Sequence, residues 1–156
     1  MKKLFSFSVV CLMALSLNAQ EFVDLGLPSG TKWKDKNESD VFYYGAALAE
    51  FGNSLPTYAQ FEELKDNCKW VWVDNGYKVL GPNGNSIFLP ILKGFRDCNG
   101  DWSEQLSSGT IPVGIYWTST AMGLEQAWTL RFNWNGAEMA YIDRCFWYNV
   151  RLVQNK

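Results

Sequence analysis

The sequence predicts one α+β domain, with short antiparallel hairpins and two short helices. Three observations predict it. Asn-Gly steps at Asn75-Gly76, Asn83-Gly84 and Asn135-Gly136 are flanked by apolar, strand-forming residues, the signal of tight hairpin turns. Two segments, over 40–51 and 57–67, carry apolar residues at helical spacing. The length, once an export leader is set aside, suits one ordinary domain, and no linker or low-complexity tract divides it.

The leader comes first in the chain. Lys2 and Lys3 form a positive start, an apolar stretch runs from Leu4 to Leu17, and small Ala19 precedes the expected cut. The stretch is too short to span a bilayer with ease, and an uncleaved anchor is the lesser reading. A lipid-acceptor role for Cys11 does not fit, because Val9 and Val10 stand where small residues belong. Removing residues 1–19 from 156 leaves a mature chain of 137, Gln20 to Lys156, with no second segment long enough to cross a membrane. The protein is thus expected outside the cytoplasm: secreted, periplasmic or on the outer surface.

The mature elements follow in order. Phe22 to Trp33 reads as a strand, a Pro28/Gly30 turn and a second strand. Asp40 to Phe51 reads as a helix capped by Asp40, with Val41, Tyr44, Leu48 and Phe51 on one face and Gly52-Asn53 as its stop. A second helix starts at Thr57, which stands in capping-box spacing with Gln60. Phe61 and Leu64 are its inward residues, and Glu62, Glu63, Lys65 and Asp66 are expected to face water.

From Cys68 the pattern turns to β. Trp70 to Val73 meets Tyr77 to Leu80, which meets Ser86 to Leu89. Leu92 to about Pro112 reads as one long loop rich in Gly, Ser, Asp and Asn. Three strands then close the chain. In the first, Trp128, Leu130, Phe132 and Trp134 alternate with Thr129, Arg131 and Asn133, which predicts an apolar and a polar face. Ala137 to Ile142 is the second, and Phe146 to Val153 the last.

Composition excludes much chemistry. The chain has no histidine, so it cannot form a Ser-His-Asp or Cys-His pair, a His-liganded metal site or an imidazole base. Fourteen basic residues face 16 acidic ones, and losing Lys2 and Lys3 leaves 12 against 16, a net charge of −4. No basic stripe is offered to nucleic acid or to an anionic membrane. No cofactor is expected.

These elements resemble a family of exported bacterial proteins, the Fibrobacter succinogenes major paralogous domain. The carrying blocks are Val23-Asp24-Leu25-Gly26-Leu27-Pro28-Ser29-Gly30-Thr31-Lys32-Trp33, Leu55-Pro56-Thr57, Phe61-Glu62-Glu63-Leu64 with Cys68, and Gly76-Tyr77-Lys78-Val79. They continue with Asn83-Gly84-Asn85-Ser86-Ile87-Phe88-Leu89-Pro90, Tyr116-Trp117-Thr118-Ser119-Thr120 and Val150-Arg151-Leu152-Val153. The resemblance spans nearly the whole mature chain. It implies a C-type-lectin-like fold, in which two short helices pack on small antiparallel sheets with long loops, and it implies a fold more firmly than a role. Two segments depart from the family pattern, Lys34 to Ser39 and Ile91 to Arg96. Cys98 and Cys145 also fall where the family does not usually carry cysteine. They are expected to pair, leaving Cys68 as a buried thiol.

Asp97, Asn99 and Asp101 alternate as calcium ligands do, but Trp102 and Ser108 stand where an EF-hand needs Gly and a bidentate acid. A solvated turn is the stronger reading, and no metal is expected. Trp33, Trp70, Trp117 and Trp128 read as core; Trp102 in the long loop and Trp134 beside a turn read as surface anchors, with Tyr148 a third. Glu62-Glu63 and the Asp97/Asp101 pair are poor acid–base partners, so no catalytic residue is assigned. The function expected is a non-catalytic binding module that recognises a glycan or protein on a host or bacterial surface. The recognising residues are Arg96, Asp97, Asn99, Asp101, Trp102, Trp134 and Tyr148. The alternative is a structural or envelope-assembly subunit that associates through sheet edges.

Overall fold

The computed structural model describes residues 22–104 and 111–156. The leader expected over residues 1–19 and the Ser108 position lie outside the described residues. In chain order the elements are β1 (Phe22–Asp24), β2 (Lys32–Lys34), β3 (Phe42–Tyr43), α1 (Tyr44–Phe51), a 3-10 turn (Gly52–Ser54), α2 (Tyr58–Asn67), β4 (Lys69–Val73), β5 (Gly76–Leu80) and β6 (Ser86–Pro90). They continue with β7 (Gly94–Arg96), β8 (Trp102–Glu104), β9 (Gly114–Met122), β10 (Gln126–Asn133), β11 (Gly136–Asp143), β12 (Trp147–Tyr148) and β13 (Val153–Gln154). The strands form four small antiparallel sheets, ordered β1-β2-β13, β11-β10-β9, β3-β12-β7-β8 and β4-β5-β6. This is the α+β class the sequence predicts.

Local signals placed α2 and the hairpins. Thr57 Oγ1 accepts from Gln60 N–H and the Gln60 side chain accepts from Thr57 N–H, the complete capping box. Phe61 and Leu64 are buried, as their spacing requires. Glu63 differs from expectation: its carboxylate accepts from Ser29 N–H at 2.8 Å and Ser29 Oγ–H at 2.6 Å, tying α2 to the β1–β2 turn. At the β4–β5 turn the positive φ of 51° falls on Asp74, not Gly76. Gly76 is instead the first residue of β5, where a Cβ would overlap Leu89 and Phe88.

The helix expected from Asp40 begins four residues later. Phe42 and Tyr43 pair with Tyr148 and Trp147, so strand pairing takes the residues that propensity assigned to the first turn. Among the described residues Asp40 Oδ1 accepts only the neighbouring Val41 N–H, and α1 starts without a side-chain cap.

Two buried clusters make the core. One gathers Leu25, Trp33, Phe61, Leu64, Val79, Leu89, Tyr116 and Phe132; the other gathers Tyr44, Ala47, Leu92, Ile115, Trp117, Ala127, Tyr148 and Val150. Strand β9 lies between them, with Tyr116 in the first and its neighbours Ile115 and Trp117 in the second. Both of its faces are therefore buried, and it shows no alternation to announce it. The polar face expected for β10 holds at Arg131, which is exposed, and fails at Thr129. That residue is fully buried and donates from Oγ1 to Ala140 O at 3.0 Å.

The last expected strand is split. Between β12 and β13 the chain turns Arg151 inward, 1% exposed. Its Nε donates to Asn37 Oδ1 (2.8 Å), Nη1 to Lys34 O (2.7 Å) and Nη2 to Phe88 O (2.6 Å). Burial lowers its pKa, with Tyr116 opposing the shift. The guanidinium thus joins β2, the loop after it and β6. Trp33, wholly buried against Phe61, has an indole N–H without an acceptor among the described residues.

Candidate functional site

The segment read as one long loop contains two strands. Gly94 to Arg96 pairs with Trp102 to Glu104, and this hairpin joins the sheet that also holds β3 and β12. Asp97 makes the turn. Its N–H donates to Asp101 O at 3.0 Å, and its Oδ1 accepts from Asn99 N–H and Asp101 N–H at 2.9 Å each. Asp97, Asn99 and Asp101 are thereby accounted for as a turn whose carboxylate satisfies backbone donors. Among the described residues no three acidic or cysteine side chains converge on a point where a metal would sit.

The sheet register lines up four side chains. Tyr43 is opposite Trp147, Trp147 opposite Arg96, and Arg96 opposite Trp102. Directly opposed residues share a sheet face, so the four form one row across β3, β12, β7 and β8. The Tyr43 and Trp147 rings meet edge-on at 5.2 Å. Arg96 Cζ lies 5.9 Å from the Trp147 ring and 5.8 Å from the Trp102 ring, a cation between two aromatic faces. Arg96 Nη1 donates to Gly100 O at 3.1 Å, which anchors the guanidinium to the turn. The ends of the row are open: Tyr43 is 43% exposed and Trp102 49%.

Gly94 lets Trp102 lie against the sheet, since a Cβ there would overlap the indole ring. Beyond that ring is a cleft of about 300 Å³, walled by Trp102, Gly94, Lys93, Ser39, Asp40 and Asn149 among others. It offers one aromatic surface and a polar, mixed-charge rim.

The Cys98–Cys145 disulfide is present, Cα to Cα 4.7 Å, as expected. Cys98 is two residues past Arg96 and Cys145 two before Trp147, so the bridge continues the antiparallel register of the Arg96–Trp147 pair. It fastens β7 to β12 where the two strands share a single rung. Cys68 is the free thiol among the described residues, half-buried rather than enclosed. Burial and nearby Glu63 push its pKa up to about 11, so it is a protonated, poorly nucleophilic thiol at neutral pH.

Of the seven residues expected to bind, the fold brings Arg96 and Trp102 together in the row and uses Asp97, Asn99 and Asp101 to shape its turn. Trp134, 48% exposed, stands apart on the β10–β11 turn. Tyr148 is not available. It is 6% exposed and packs among Trp117, Phe146 and Phe95, because its side chain points to the opposite face of β12 from Trp147. Trp147 and Tyr43 were missed. The signal for Trp147 was the mirror spacing Arg96-x-Cys98 and Cys145-x-Trp147; Tyr43 was hidden inside the expected helix. Of the four expected core tryptophans, Trp33 and Trp117 are fully buried, whereas Trp70 and Trp128 are partly exposed.

A larger cleft, about 770 Å³, lies elsewhere and is lined by Ser29, Thr31, Thr57, Gln60, Asn155 and others. Several of its polar groups already bond one another: Gln60 Nε2 donates to Asn155 Oδ1 at 2.7 Å, and Ser29 Oγ bonds Thr31 Oγ1 at 2.8 Å. No aromatic ring lines it. The row and its cleft combine an open stacking surface with polar groups at the rim, and they form the better site. Comparison with protein-family models, curated proteins and solved structures finds no match to the chain.

Proposed function

We propose that this protein is an exported, non-catalytic binding module of C-type-lectin-like fold that holds a glycan against the Trp102–Arg96–Trp147–Tyr43 row. One observation carries the reading: the sheet register puts three aromatic side chains and one cation on a single face, with both ends of the row exposed. Flat aromatic surfaces suit the apolar faces of sugar rings, and Lys93, Ser39 and Asp40 around the adjoining cleft suit hydroxyls. The resemblance to the Fibrobacter succinogenes major paralogous domain family supports the fold, and the disulfide fits an oxidising compartment outside the cytoplasm. The absence of histidine and the structural use of Asp97 and Glu63 favour binding over catalysis.

Screening the exported protein on a glycan array tests this. Trp102→Ala is expected to weaken capture at least tenfold, the loss of about 1.4 kcal/mol or more that an exposed aromatic anchor supplies. Trp134→Ala is expected to leave it unchanged. Glycan binding that survives both Trp102→Ala and Arg96→Ala in folded protein refutes the assignment and turns attention to a protein ligand.

A further inference from the structure

The β4-β5-β6 sheet has two edges, and they are treated differently. The hydrogen-bonding direction follows from the two-residue β4–β5 turn. Val73 and Gly76 flank it as a hydrogen-bonded pair, so Val71 and Lys69 also bond toward β5, while the N–H and C=O groups of Trp70 and Trp72 point away. The same parity sends the main-chain groups of Phe88 and Pro90 out of β6. There they are covered: Phe88 O accepts from Arg151 Nη2 at 2.6 Å and Pro90 O from Tyr116 Oη–H at 2.7 Å. Among the described residues nothing covers Trp70 and Trp72 on the β4 side. That strand pairs in unbroken register and is mostly apolar, Lys69-Trp70-Val71-Trp72-Val73, without proline or bulge. Val71 and Val73 are 40% and 39% exposed. Such an edge is what native folds ordinarily blunt.

We infer that β4 pairs antiparallel with β4 of a second copy of this chain, about a two-fold axis through Val71. The register follows from the free groups. Only with Trp70 opposite Trp72 of the other copy do both outward-facing residues of each strand find partners, giving four main-chain hydrogen bonds. That register also sets Lys69 opposite Val73 and beside Asp74 of the other strand. Lys69 and Asp74 are both exposed, and neither makes an ion pair among the described residues. The strand therefore carries a cation at one end and an acid at the other, a self-complementary pattern under antiparallel pairing. The edge strand β11 carries Glu138 and Asp143 and no cation within its range, so it lacks this self-complementary pattern. The joined sheet has six strands, β6-β5-β4 and their mates.

Val71 is the discriminating position. It is exposed in one copy, so Val71→Lys is tolerated by the fold, yet on the axis it opposes two like charges at the closest cross-strand distance. Sedimentation equilibrium of the exported protein is expected to show a concentration-dependent dimer, which Val71→Lys weakens at least tenfold, with Tm unchanged at concentrations where both proteins are monomeric. Val71→Cys is expected to cross-link through residue 71 on oxidation, with Cys68→Ser present to remove the native free thiol. A monomer at every concentration overturns the inference and leaves the edge to a strand from a different protein. A dimer insensitive to Val71→Lys, or one whose cross-links avoid residue 71, overturns it equally.

Discussion

Replacing Cys98 and Cys145 by serine tests how the binding row is held. The two cysteines close a loop of sequence separation 47. In the chain-entropy account such a cross-link removes about 4 kcal/mol of conformational freedom from the unfolded chain at 25 °C. Unfolding entropy near 2.1 cal/mol/K per residue over the 137 residues that remain when the expected leader is set aside converts this into a fall in Tm of about 14 °C. Both cysteines are exposed, so serine leaves no cavity and the loss belongs to the cross-link itself. A second effect is local. Strands β7 and β12 share only the Arg96–Trp147 rung, so without the bridge the row is joined at its centre by that rung alone. Scanning calorimetry gives the first quantity. Amide hydrogen exchange gives the second, with protection expected to fall at residues 95–97 and 146–148 before it falls in β9 and β10. A Tm change under about 3 °C refutes the entropic account, and uniform loss of protection refutes the claim that the bridge specifically fastens the row.

Arg151→Met removes three donors and leaves the carbonyls of Lys34 and Phe88 and the side-chain oxygen of Asn37 without them. Urea unfolding is expected to show a loss of roughly 3–5 kcal/mol, and a loss below ~1 kcal/mol contradicts the bonding described. Alkaline pH should destabilise the protein. Burial raises Tyr116 and Tyr148 from 10.0 to about 12, so between those values the folded state keeps protons that the unfolded chain releases. Their contribution is whole below pH 10 and is lost as pH rises toward 12, and the two together lower stability by about 3 kcal/mol at pH 11 relative to pH 8. Cys68, raised from 9.0 to about 11, acts in the same direction from lower pH. Tyr148→Phe is expected to remove about half of the tyrosine effect, and a flat urea midpoint across this range contradicts it.

What the sequence made legible was local. The capping box over Thr57 and Gln60 and the hairpin pairing of β4 with β5 and β5 with β6 each act over a few residues, and each appears where it was read. The elements misread are those decided by distant neighbours. Asp40 looked like a helix cap until Phe42 and Tyr43 paired with β12. β9 had no period to show because a core lies on each of its faces. The stretch 94–104 looked like a loop because its two strands are only three residues each and Asp97, Asn99, Gly100 and Asp101 stand between them.

The candidate site follows the same division. Composition alone decided that no imidazole chemistry is possible, and the position of Trp102 marked it as a surface residue; both are properties of the chain itself. Whether Trp147 or Tyr148 faces the solvent turned on which way β12 packs, since adjacent strand residues point to opposite faces. Tyr43, Trp147, Arg96 and Trp102 come from three separate stretches of chain, and only the order β3-β12-β7-β8 sets them side by side. Residue type is written locally, but adjacency across a sheet is set by pairings whose energy depends on the whole core.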